Sequence, residues 1–401
     1  MRVPGCGGTI PFYQIEQAPQ VSRMKISSNF DAGSIEIVSA DSLEDIQLRI
    51  RRDNAAEFAQ WFYFRVQGAA YQHCTFRFLN AAECAYPQGW VDYQAMASYD
   101  RVNWFRVPTR YEDGVMVIEH VPLSGSIYYA YFEPYSYDQH LNLIGQAQGS
   151  GLCQVSDLGS TVQGRDMNLL TIGHEVESDL KIWITARQHP GETMAEWFIE
   201  GLLNRLLDPQ DPTSRALLDR ATFYVVPNMN PDGSVLGNLR TNAAGANLNR
   251  EWANPSAETS PEVLVVRQKM LETGVDLFLD IHGDENIPYV FLAGTEGVPS
   301  WNARLEKLAD SFRHHFLLAS PDFQTEHGYP RNEPGKANPG IATNWVCEQF
   351  GCLAFTLEMP FKDNHNLPDD DFGWNGQRSL RLGESALSPI YAVLNDLARG
   401  E

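Results

Sequence analysis

The sequence predicts an all-β, sandwich-like domain followed by an α/β domain in which helices flank a mixed sheet. A length of 401 residues is too long for one typical core, and a hydrophobic content of 43% can supply two. Between Met24 and about Glu133, short β-rich runs are separated by turn residues. After position 150, apolar runs alternate with longer helical patterns, which is typical of an α/β domain.

The first domain is predicted to span residues 24–148, after a loose tail at 1–23. Its strands are expected at SIEIV, IQLRI, QWFYFRV, CTFRFLN, VMVIEHV and IYYAYF. The many aromatic residues in these runs favour a packed core over a ligand platform. Gly, Ser and Gln residues near 145–151 indicate where the domain ends.

The second domain is predicted to span residues 149–401. Strands are expected at LLTIG, KIWITA, TFYVVP, DLFLDIH, YVFLAG and LAFTLEM. Helices are expected at ETMAEWFIEGLLNRLL, SPEVLVVRQKMLETG, SWNARLEKLADSFRHHF and GIATNWVCEQF. One face of the first helix should pack on the sheet, because helical spacing brings together Met194, Trp197, Phe198, Gly201 and Leu202.

Charge and composition exclude some classes of function. The net charge of −21 argues against nucleic acid as a partner, since phosphate binding needs clustered Lys and Arg. No apolar run approaches the roughly 20 residues that span a bilayer, and positions 1–23 lack the apolar stretch of a secretory signal. Six cysteines without a CxxC pair favour reduced thiols in the cytoplasm, with Cys347 and Cys352 expected in the core.

A histidine followed three residues later by a glutamate occurs at three places: His174/Glu177, His189/Glu192 and His282/Glu285. Spacing alone does not separate a metal site from chance, so the position of each pair relative to the predicted strands has to decide. The first pair lies in an acidic turn between two strand-like runs, and we expect His174 at the surface.

The other two pairs lie at predicted strand ends. His189 follows KIWITA, with Glu192 where a helix begins, and His282 ends DLFLDIH. Glu358 lies at the end of a third strand, LAFTLEM. Because ligands of open α/β sheets bind at the carboxyl ends of the strands, we expect these side chains to converge.

Two imidazoles and one carboxylate give Zn²⁺ three protein ligands and leave a fourth position open, as in catalytic zinc sites. His189, Glu192 and His282 provide that set. Glu358 is then free to act as a general base for hydrolysis. Glu285 is the alternative carboxylate ligand, although it and its neighbour Asp284 are expected to line the loop after the strand.

Between the two histidines lies NMNPDGSVLGNLRTNAAGANLNREW, positions 228–252, which is expected to be a long structureless loop. A loop of this length inside a compact domain is usually functional. It carries Arg240 and Arg250, and the planar guanidinium of arginine suits the binding of a carboxylate or of a developing oxyanion.

These motifs resemble those of the M14 zinc carboxypeptidases, and more closely those of the cytosolic carboxypeptidase branch. HPGET, NPDGSVLGNLR, LNREW, DIHGD and TLEMPF occur in this order and cover most of 150–365. WFYFRV and YYAYFEPYS resemble the N-terminal domain of that branch, so the resemblance extends over nearly the whole chain.

The resemblance implies an enzyme that hydrolyses C-terminal residues of peptides or proteins with one Zn²⁺ per chain. The zinc ligands it implies are His189, Glu192 and His282. It further implies Arg240 as the arginine that stabilises the oxyanion and Glu358 as the base. Asn249 and Arg250 would bind the terminal carboxylate, and Tyr329 is the candidate for the mobile tyrosine of the family. Asn247 stands where many members carry Asp, so one zinc histidine would have a neutral partner.

Side-chain preference is expected to differ from that of the relatives that remove glutamate from tubulin. Where those relatives carry an arginine, this chain has Ala342 and Thr343. The charge of −21 also repels acidic substrates at long range. We therefore expect no strict preference for C-terminal glutamate, unless Lys336 or Arg331 supplies a positive charge.

Two other functions are compatible with the same residues. An N-acyl amino acid amidohydrolase shares this type of site, and a catalytically silent protein could use the β domain to bind a partner. Candidates for every catalytic role favour an active enzyme.

Overall fold

The computed structural model of the protein describes residues 24–173 and 180–398. The tail predicted at 1–23 and the surface position predicted for His174 lie outside the described residues. Within them, no helix is both long and apolar enough to cross a membrane.

The first part of the chain is all-β, as predicted. Its strands are β1 (Lys25–Ser27), β2 (Glu36–Ser39), β3 (Ile46–Arg49), β4 (Tyr63–Gln67), β5 (Cys74–Phe78), β6 (Ala95–Ser98), β7 (Trp104–Val107), β8 (Thr109–Glu112), β9 (Val115–His120) and β10 (Ser126–Ala130). They form two five-stranded sheets with the orders β1-β4-β10-β6-β7 and β2-β3-β5-β9-β8. The sequence did not predict β1, β6, β7 and β8, because they are only three or four residues long. In β6 all four residues are buried, so no alternation marks the strand.

Aromatic side chains fill the space between the two sheets. Tyr129 of β10 lies 4.9 Å from Phe76 of β5, measured between ring centroids, and Phe64 of β4 lies 5.7 Å from the same ring. All three side chains are buried. The prediction that the aromatic residues form a core is therefore confirmed.

The second part of the chain contains a mixed seven-stranded sheet. Its strands are β11 (Cys153–Ser160), β12 (Asp166–Ile172), β13 (Leu180–Ala186), β14 (Ala221–Val226), β15 (Leu277–Asp284), β16 (Phe291–Ala293) and β17 (Leu353–Pro360). The order is β11-β12-β14-β13-β15-β17-β16, and β14, β13, β15 and β17 run parallel. The remaining pairs are antiparallel, so the prediction of a mixed sheet is confirmed.

Helices flank this sheet. They are α1 (Tyr137–Gly149), α2 (Met194–Leu206), α3 (Pro212–Leu218), α4 (Pro231–Leu236), α5 (Pro261–Thr273), α6 (Ala303–Ala319), α7 (Ala342–Phe350), α8 (Gly376–Ser385) and α9 (Leu387–Ala398). The four predicted helices correspond to α2, α5, α6 and α7. Helix α1 lies at the predicted domain boundary and contacts α2, α4, β11 and β12; the division at 148/149 stays a prediction.

The prediction of a structureless segment at 228–252 was wrong in part. It contains α4 and a 3-10 turn at Leu248–Arg250. The side chain of Asn230 caps α4 by accepting from the Gly233 N–H at 3.0 Å, and Gly237 ends it in the left-handed region at φ 69°. These are ordinary cap signals, but a helix this short has no readable periodicity.

Helix α2 packs on β13 and β15, as predicted, and also on α8. The contact with α8 is between backbones. A Cβ atom on Gly201 would overlap the carbonyl oxygen of Leu380, and one on Gly383 would overlap that of Phe198. Cys347 and Cys352 are buried and unbridged, which confirms their expected place in the core.

Candidate active site

The structure brings His189, Glu192 and His282 together at the carboxyl ends of β13 and β15. Nδ1 of His189 lies 2.6 Å from one carboxylate oxygen of Glu192, and Nδ1 of His282 lies 2.7 Å from the other. The two Nδ1 atoms are 3.2 Å apart. All three side chains are buried, and their candidate ligand atoms all lie within 4.8 Å of one another.

Burial and charge shape the protonation of this cluster. Burial, helped by the charge of Arg240, lowers the pKa of His189 to about 4. Burial opposes ionisation of Glu192, but the two histidines hold its pKa below the usual value. Burial would also lower the pKa of His282, yet Asp280 and Glu192 raise it well above its ordinary range. Glu192 is therefore a carboxylate oriented by two imidazoles.

The other ring nitrogens of the two histidines have unequal partners. Nε2 of His282 lies 2.8 Å from a carboxylate oxygen of Asp280, whereas Nε2 of His189 lies 3.1 Å from the amide oxygen of Asn247. Asp280 also accepts from the Thr185 hydroxyl at 2.7 Å and from the Gln188 amide at 2.5 Å. These contacts leave both Nδ1 atoms facing Glu192. Asp280 was not singled out in the sequence, where it reads as one polar residue inside an apolar strand.

A zinc ion fits this donor set. Two imidazole nitrogens and one carboxylate oxygen are the protein ligands of open catalytic zinc sites, and partners on the outer ring nitrogens are the usual means of orienting such ligands. Exposed acidic side chains often cluster without binding a metal. His189, Glu192 and His282 are instead all buried, which favours a metal site.

Arg187 supports the loop that carries His189. Its backbone lies in the left-handed region at φ 57°, a strained conformation for a residue with a side chain. Its guanidinium donates to the Pro190 carbonyl at 2.9 Å and to the Glu196 carboxylate at 2.5 Å. Glu196 is fully buried and also lies 2.7 Å from Nδ1 of His140. The sequence gives no signal for this network, because its members look like ordinary helix and loop residues.

Glu358 lies on β17 beside the histidine cluster and is buried. Among the described residues, one of its carboxylate oxygens has no hydrogen-bond partner. The other accepts from the Tyr329 hydroxyl at 3.2 Å, and the same hydroxyl lies 2.5 Å from Asp284. Burial raises the pKa of Glu358 well above its usual range, with His282 acting in the opposite direction. A carboxyl with a raised pKa and a free oxygen is suited to proton transfer.

The expectation that Asp284 lies on a loop needs correction, whereas Glu285 lies in the bend after the strand, as expected. Strand β15 continues through Asp284, whose carboxylate accepts from two backbone N–H groups just beyond it. Glu285 is buried in the wall of the cavity, and one of its oxygens has no hydrogen-bond partner among the described residues. The metal-compatible cluster contains Glu192 and does not include Glu285.

A cavity of about 1150 Å³ opens over these groups. Arg240, Asn249 and Arg250 line it together with the histidine cluster and Glu358. The Asn249 side chain is oriented from both ends: its oxygen accepts from the Ala342 N–H at 2.9 Å, and its nitrogen lies 3.4 Å from Nε2 of His282. The structure therefore places all seven predicted site residues around one cavity.

The residues considered for selection of the substrate's last side chain lie in different parts of the structure. Thr343 is buried in the cavity wall, where its hydroxyl lies 3.2 Å from that of Thr356. Arg331 lines the cavity but pairs with Glu306 at 3.0 Å and with Glu296 at 3.7 Å. Lys336 is exposed and does not line the cavity.

Two family models match most of the chain. The model described as the cytosolic carboxypeptidase N-terminal domain matches residues 26–132, and the model described as zinc carboxypeptidase matches residues 142–379.

Two relatives of known sequence differ in how much of their length this chain spans. An uncharacterized protein of Zymomonas mobilis is 47% identical over 374 residues, which is 93% of this chain and 97% of that protein. Mouse cytosolic carboxypeptidase 2 is 27% identical over 73% of this chain, which spans only 38% of that longer protein.

Solved structures resemble the whole described fold. A metallo-carboxypeptidase from Burkholderia cenocepacia is 56% identical with a TM-score of 0.91, covering 93% of this chain and 99% of that one. A metallo-carboxypeptidase from Pseudomonas aeruginosa, solved in complex with (2-guanidinoethylmercapto)succinic acid, is 48% identical with a TM-score of 0.91, covering 93% and 100%.

Proposed function

Because the chain belongs to the zinc carboxypeptidase family, we propose that it removes C-terminal residues from peptides or proteins with one Zn²⁺ per chain. One observation carries this proposal: the buried cluster of His189, Glu192 and His282 lies beside Glu358, which has a free carboxylate oxygen. The matched N-terminal model supports a place in the cytosolic carboxypeptidase branch. Buried, unbridged cysteines support a reducing compartment such as the cytoplasm.

His189, Glu192 and His282 would hold the zinc, which supplies Lewis-acid polarisation of the scissile carbonyl and of water when it is bound. Glu358 takes a proton from the attacking water and later delivers it to the leaving amine. Its raised pKa suits the first of these roles, because a more basic carboxylate takes up a proton from water more readily. Tyr329, hydrogen-bonded to Glu358 and to Asp284, orients the Glu358 carboxyl.

Arg240 is proposed to stabilise the negative charge that develops on the carbonyl oxygen. It lines the cavity. Burial opposes its charge, but Tyr86 and the carboxylates of Glu285, Glu192 and Glu358 keep its pKa above the usual value. A fixed cation of this kind stabilises the transition state more than the ground state.

Asn249 and Arg250 are proposed to bind the free carboxylate of the substrate's last residue. Arg250 is anchored by donating to the Asn249 carbonyl at 2.6 Å, and Asn249 is fixed by α7. Burial and the neighbouring Arg240 lower the pKa of Arg250, so two cations lie close together. An incoming carboxylate relieves their repulsion, which favours substrates with a free C-terminus.

The ligand of the Pseudomonas aeruginosa relative has matching chemistry, since it carries two carboxylates and one guanidinium. We expect the same compound to inhibit this protein in competition with substrate, with its carboxylates at Arg250 and in the histidine cluster. Substitution of Arg250 by alanine should weaken that inhibition.

The last side chain of the substrate is proposed not to be restricted to glutamate. The wall of the cavity offers the paired hydroxyls of Thr343 and Thr356, and Arg331 is already paired with two carboxylates. An acidic side chain without a free cationic partner would cost several kcal/mol in desolvation.

Mass spectrometry of a peptide mixture, before and after incubation with protein of known zinc content, tests the proposed function. Loss of single C-terminal residues that stops after chelation of the metal, and in Glu358→Gln, is the expected result. Cleavage of N-acyl amino acids without any cleavage of peptides would instead identify an amidohydrolase. Peptide binding without turnover would identify a binding protein.

A further inference from the structure

The loop between β3 and β4 of the first domain reaches the segment that carries Arg240. Asp53, on this loop, is buried, with a side chain that accepts four hydrogen bonds from the second domain. Its Oδ1 accepts from the Leu239 N–H at 2.6 Å, and its Oδ2 accepts from the Arg240 N–H at 2.8 Å. Oδ2 also accepts from the N–H and the hydroxyl of Thr241 at 2.9 and 3.0 Å.

These four donors explain why a carboxylate is buried here. A carboxylate is purely an acceptor and has about four lone-pair sites, so it can satisfy every donor that points at it. An amide in its place would turn an NH₂ group toward one of the N–H donors. Burial raises the pKa of Asp53, whereas the hydrogen bonds from Leu239, Arg240 and Thr241 lower it.

The first domain also contacts the Arg240 side chain. The Arg240 guanidinium carbon lies 5.8 Å from the centre of the Phe58 ring and 5.5 Å from that of Tyr86, at distances suited to cation–π contact. The Asp53 backbone N–H donates to the Phe58 carbonyl at 2.7 Å. The residue that holds the Arg240 backbone is therefore hydrogen-bonded directly to a residue that contacts the Arg240 side chain. The side-chain amide of buried Gln60 holds the Tyr86 backbone with two hydrogen bonds of 3.1 Å each. It accepts from the Tyr86 N–H and donates to the Tyr86 carbonyl.

The carboxylates of Glu285, Glu192 and Glu358 attract this guanidinium, but no described carboxylate holds it at short range. Arg240 forms no ion pair with a described carboxylate within 4.0 Å, and its side chain donates no hydrogen bond there. Its position therefore depends on where its backbone is held and on the two rings it faces. The Asp53 carboxylate and both rings come from residues 53–86 of the first domain, while the second domain holds the same segment through the Gly191 N–H, which donates to the Leu239 carbonyl at 2.8 Å.

We propose that Asp53 is a positioning residue for Arg240, so that the first domain completes the active site of the second. This inference rests on the proposed function, in which Arg240 stabilises the developing oxyanion. Asp53 does not touch the substrate. It sets the backbone of Leu239–Thr241 so that the guanidinium projects into the cavity.

A double-mutant cycle separates positioning from general stabilisation. The wild type, Asp53→Asn, Arg240→Ala and the double variant are compared for kcat and KM on one peptide. We expect Asp53→Asn to lower kcat by roughly 10- to 100-fold with little change in KM, the range that a small misplacement of a catalytic group can produce. In the Arg240→Ala background the same change should have almost no effect. Additive losses would overturn the inference.

Hydrogen exchange of the amides of residues 239–241 provides a second readout that does not need turnover. These amides should lose protection in Asp53→Asn and keep it in Glu133→Gln, which removes another buried carboxylate that accepts a backbone N–H from the second domain. Unchanged protection in Asp53→Asn would contradict the proposal. If the wild type cleaves no C-terminal residue, the proposed function fails while this exchange measurement still tests the positioning.

Should Asp53→Asn not fold, Thr241→Val provides a milder test. It removes one of the four donors to Asp53 and keeps the backbone contacts. A smaller loss of kcat that disappears in the Arg240→Ala background is expected, and a loss that persists there contradicts the proposal.

Discussion

His282 and Glu358 are register partners on the adjacent parallel strands β15 and β17. Neighbouring strands lie about 4.8 Å apart, so backbone pairing alone fixes the spacing between one proposed metal ligand and the proposed base. A slip of one residue would turn Glu358 to the opposite face of the sheet. The sheet therefore provides the precision that the proposed chemistry requires.

Zinc content tests the ligand assignment. Protein purified without added metal is expected to contain about one Zn²⁺ per chain, measured by elemental analysis, because the three ligand atoms converge in a buried site. His189→Ala and His282→Ala should each lose most of it. His314→Ala, an exposed histidine on the same cavity, should keep it. Full zinc in either ligand variant would show that the assignment is wrong.

Glu358→Gln should retain zinc and fold but lose hydrolysis. The glutamine amide cannot accept a proton from water, and general acid–base groups contribute about 10²- to 10⁴-fold to kcat. Steady-state kinetics together with zinc analysis measure this. Glu285→Gln is the matched comparison, since Glu285 is another buried carboxyl of the same cavity. If Glu285→Gln has the larger defect, the base is Glu285.

Arg250 should distinguish a free from a blocked C-terminus. The wild type is expected to cleave the acid form of a peptide and to bind its C-terminal amide poorly. Arg250→Ala should raise KM for the acid by roughly 10- to 150-fold, as expected for the loss of a charge-assisted hydrogen bond of about 1.5 to 3 kcal/mol. Arg331→Ala is the control at the rim of the cavity. Equal cleavage of acid and amide by the wild type would exclude an exopeptidase.

Release of C-terminal Glu, Lys and Leu from otherwise identical peptides measures the side-chain preference. We expect no strict selection of Glu, because Arg331 is paired with Glu296 and Glu306. Arg331→Ala and Lys336→Ala should leave the order of the three rates unchanged. A strong preference for Glu that disappears in either variant would show that this loop supplies the missing charge.

Glu133 should make stability depend on pH. Burial raises the pKa of Glu133 to about 7 from an ordinary value of 4.5. Between these two values the folded protein holds a proton that the unfolded chain has lost, so stability falls as pH rises through this window, by up to about 3 kcal/mol. Glu133→Gln should therefore melt at a higher temperature than the wild type at pH 8.

The difference in melting temperature between Glu133→Gln and the wild type should decrease as the pH falls toward 4.5, the ordinary pKa of the carboxyl. Melting curves across this range, with the exposed Glu258→Gln as control, measure the effect. A constant difference at every pH would mean that Glu133 does not titrate in this window.

Much of the site could be predicted because it lies at strand ends. Long apolar runs such as KIWITA and DLFLDIH mark strands, and the polar residues that follow them stand out against that background. His189 and His282 were found in this way. The same logic misplaced Asp284, because a strand that continues into an active site carries polar residues that look like a loop.

Contacts between distant segments left no signal in the sequence. Asp53 lies 187 positions before Arg240, and no periodicity links them. Arg187 and Glu196 likewise look like an ordinary loop residue and an ordinary helix residue. Their roles depend on tertiary packing, which a local pattern does not encode.

The close backbone packing of α2 and α8 at Gly201 and Gly383 has a consequence for when α2 can complete its packing during synthesis. Helix α2 begins just after the loop that carries His189 and Glu192, but its partner α8 starts 170 positions after α2 ends, at residue 376 against 206. At about 5–20 residues per second, a ribosome needs roughly 10–30 s to synthesise that interval. During this time the nascent α2 exposes the face that α8 will cover. The ligand-bearing segment therefore reaches its final packing only late in translation.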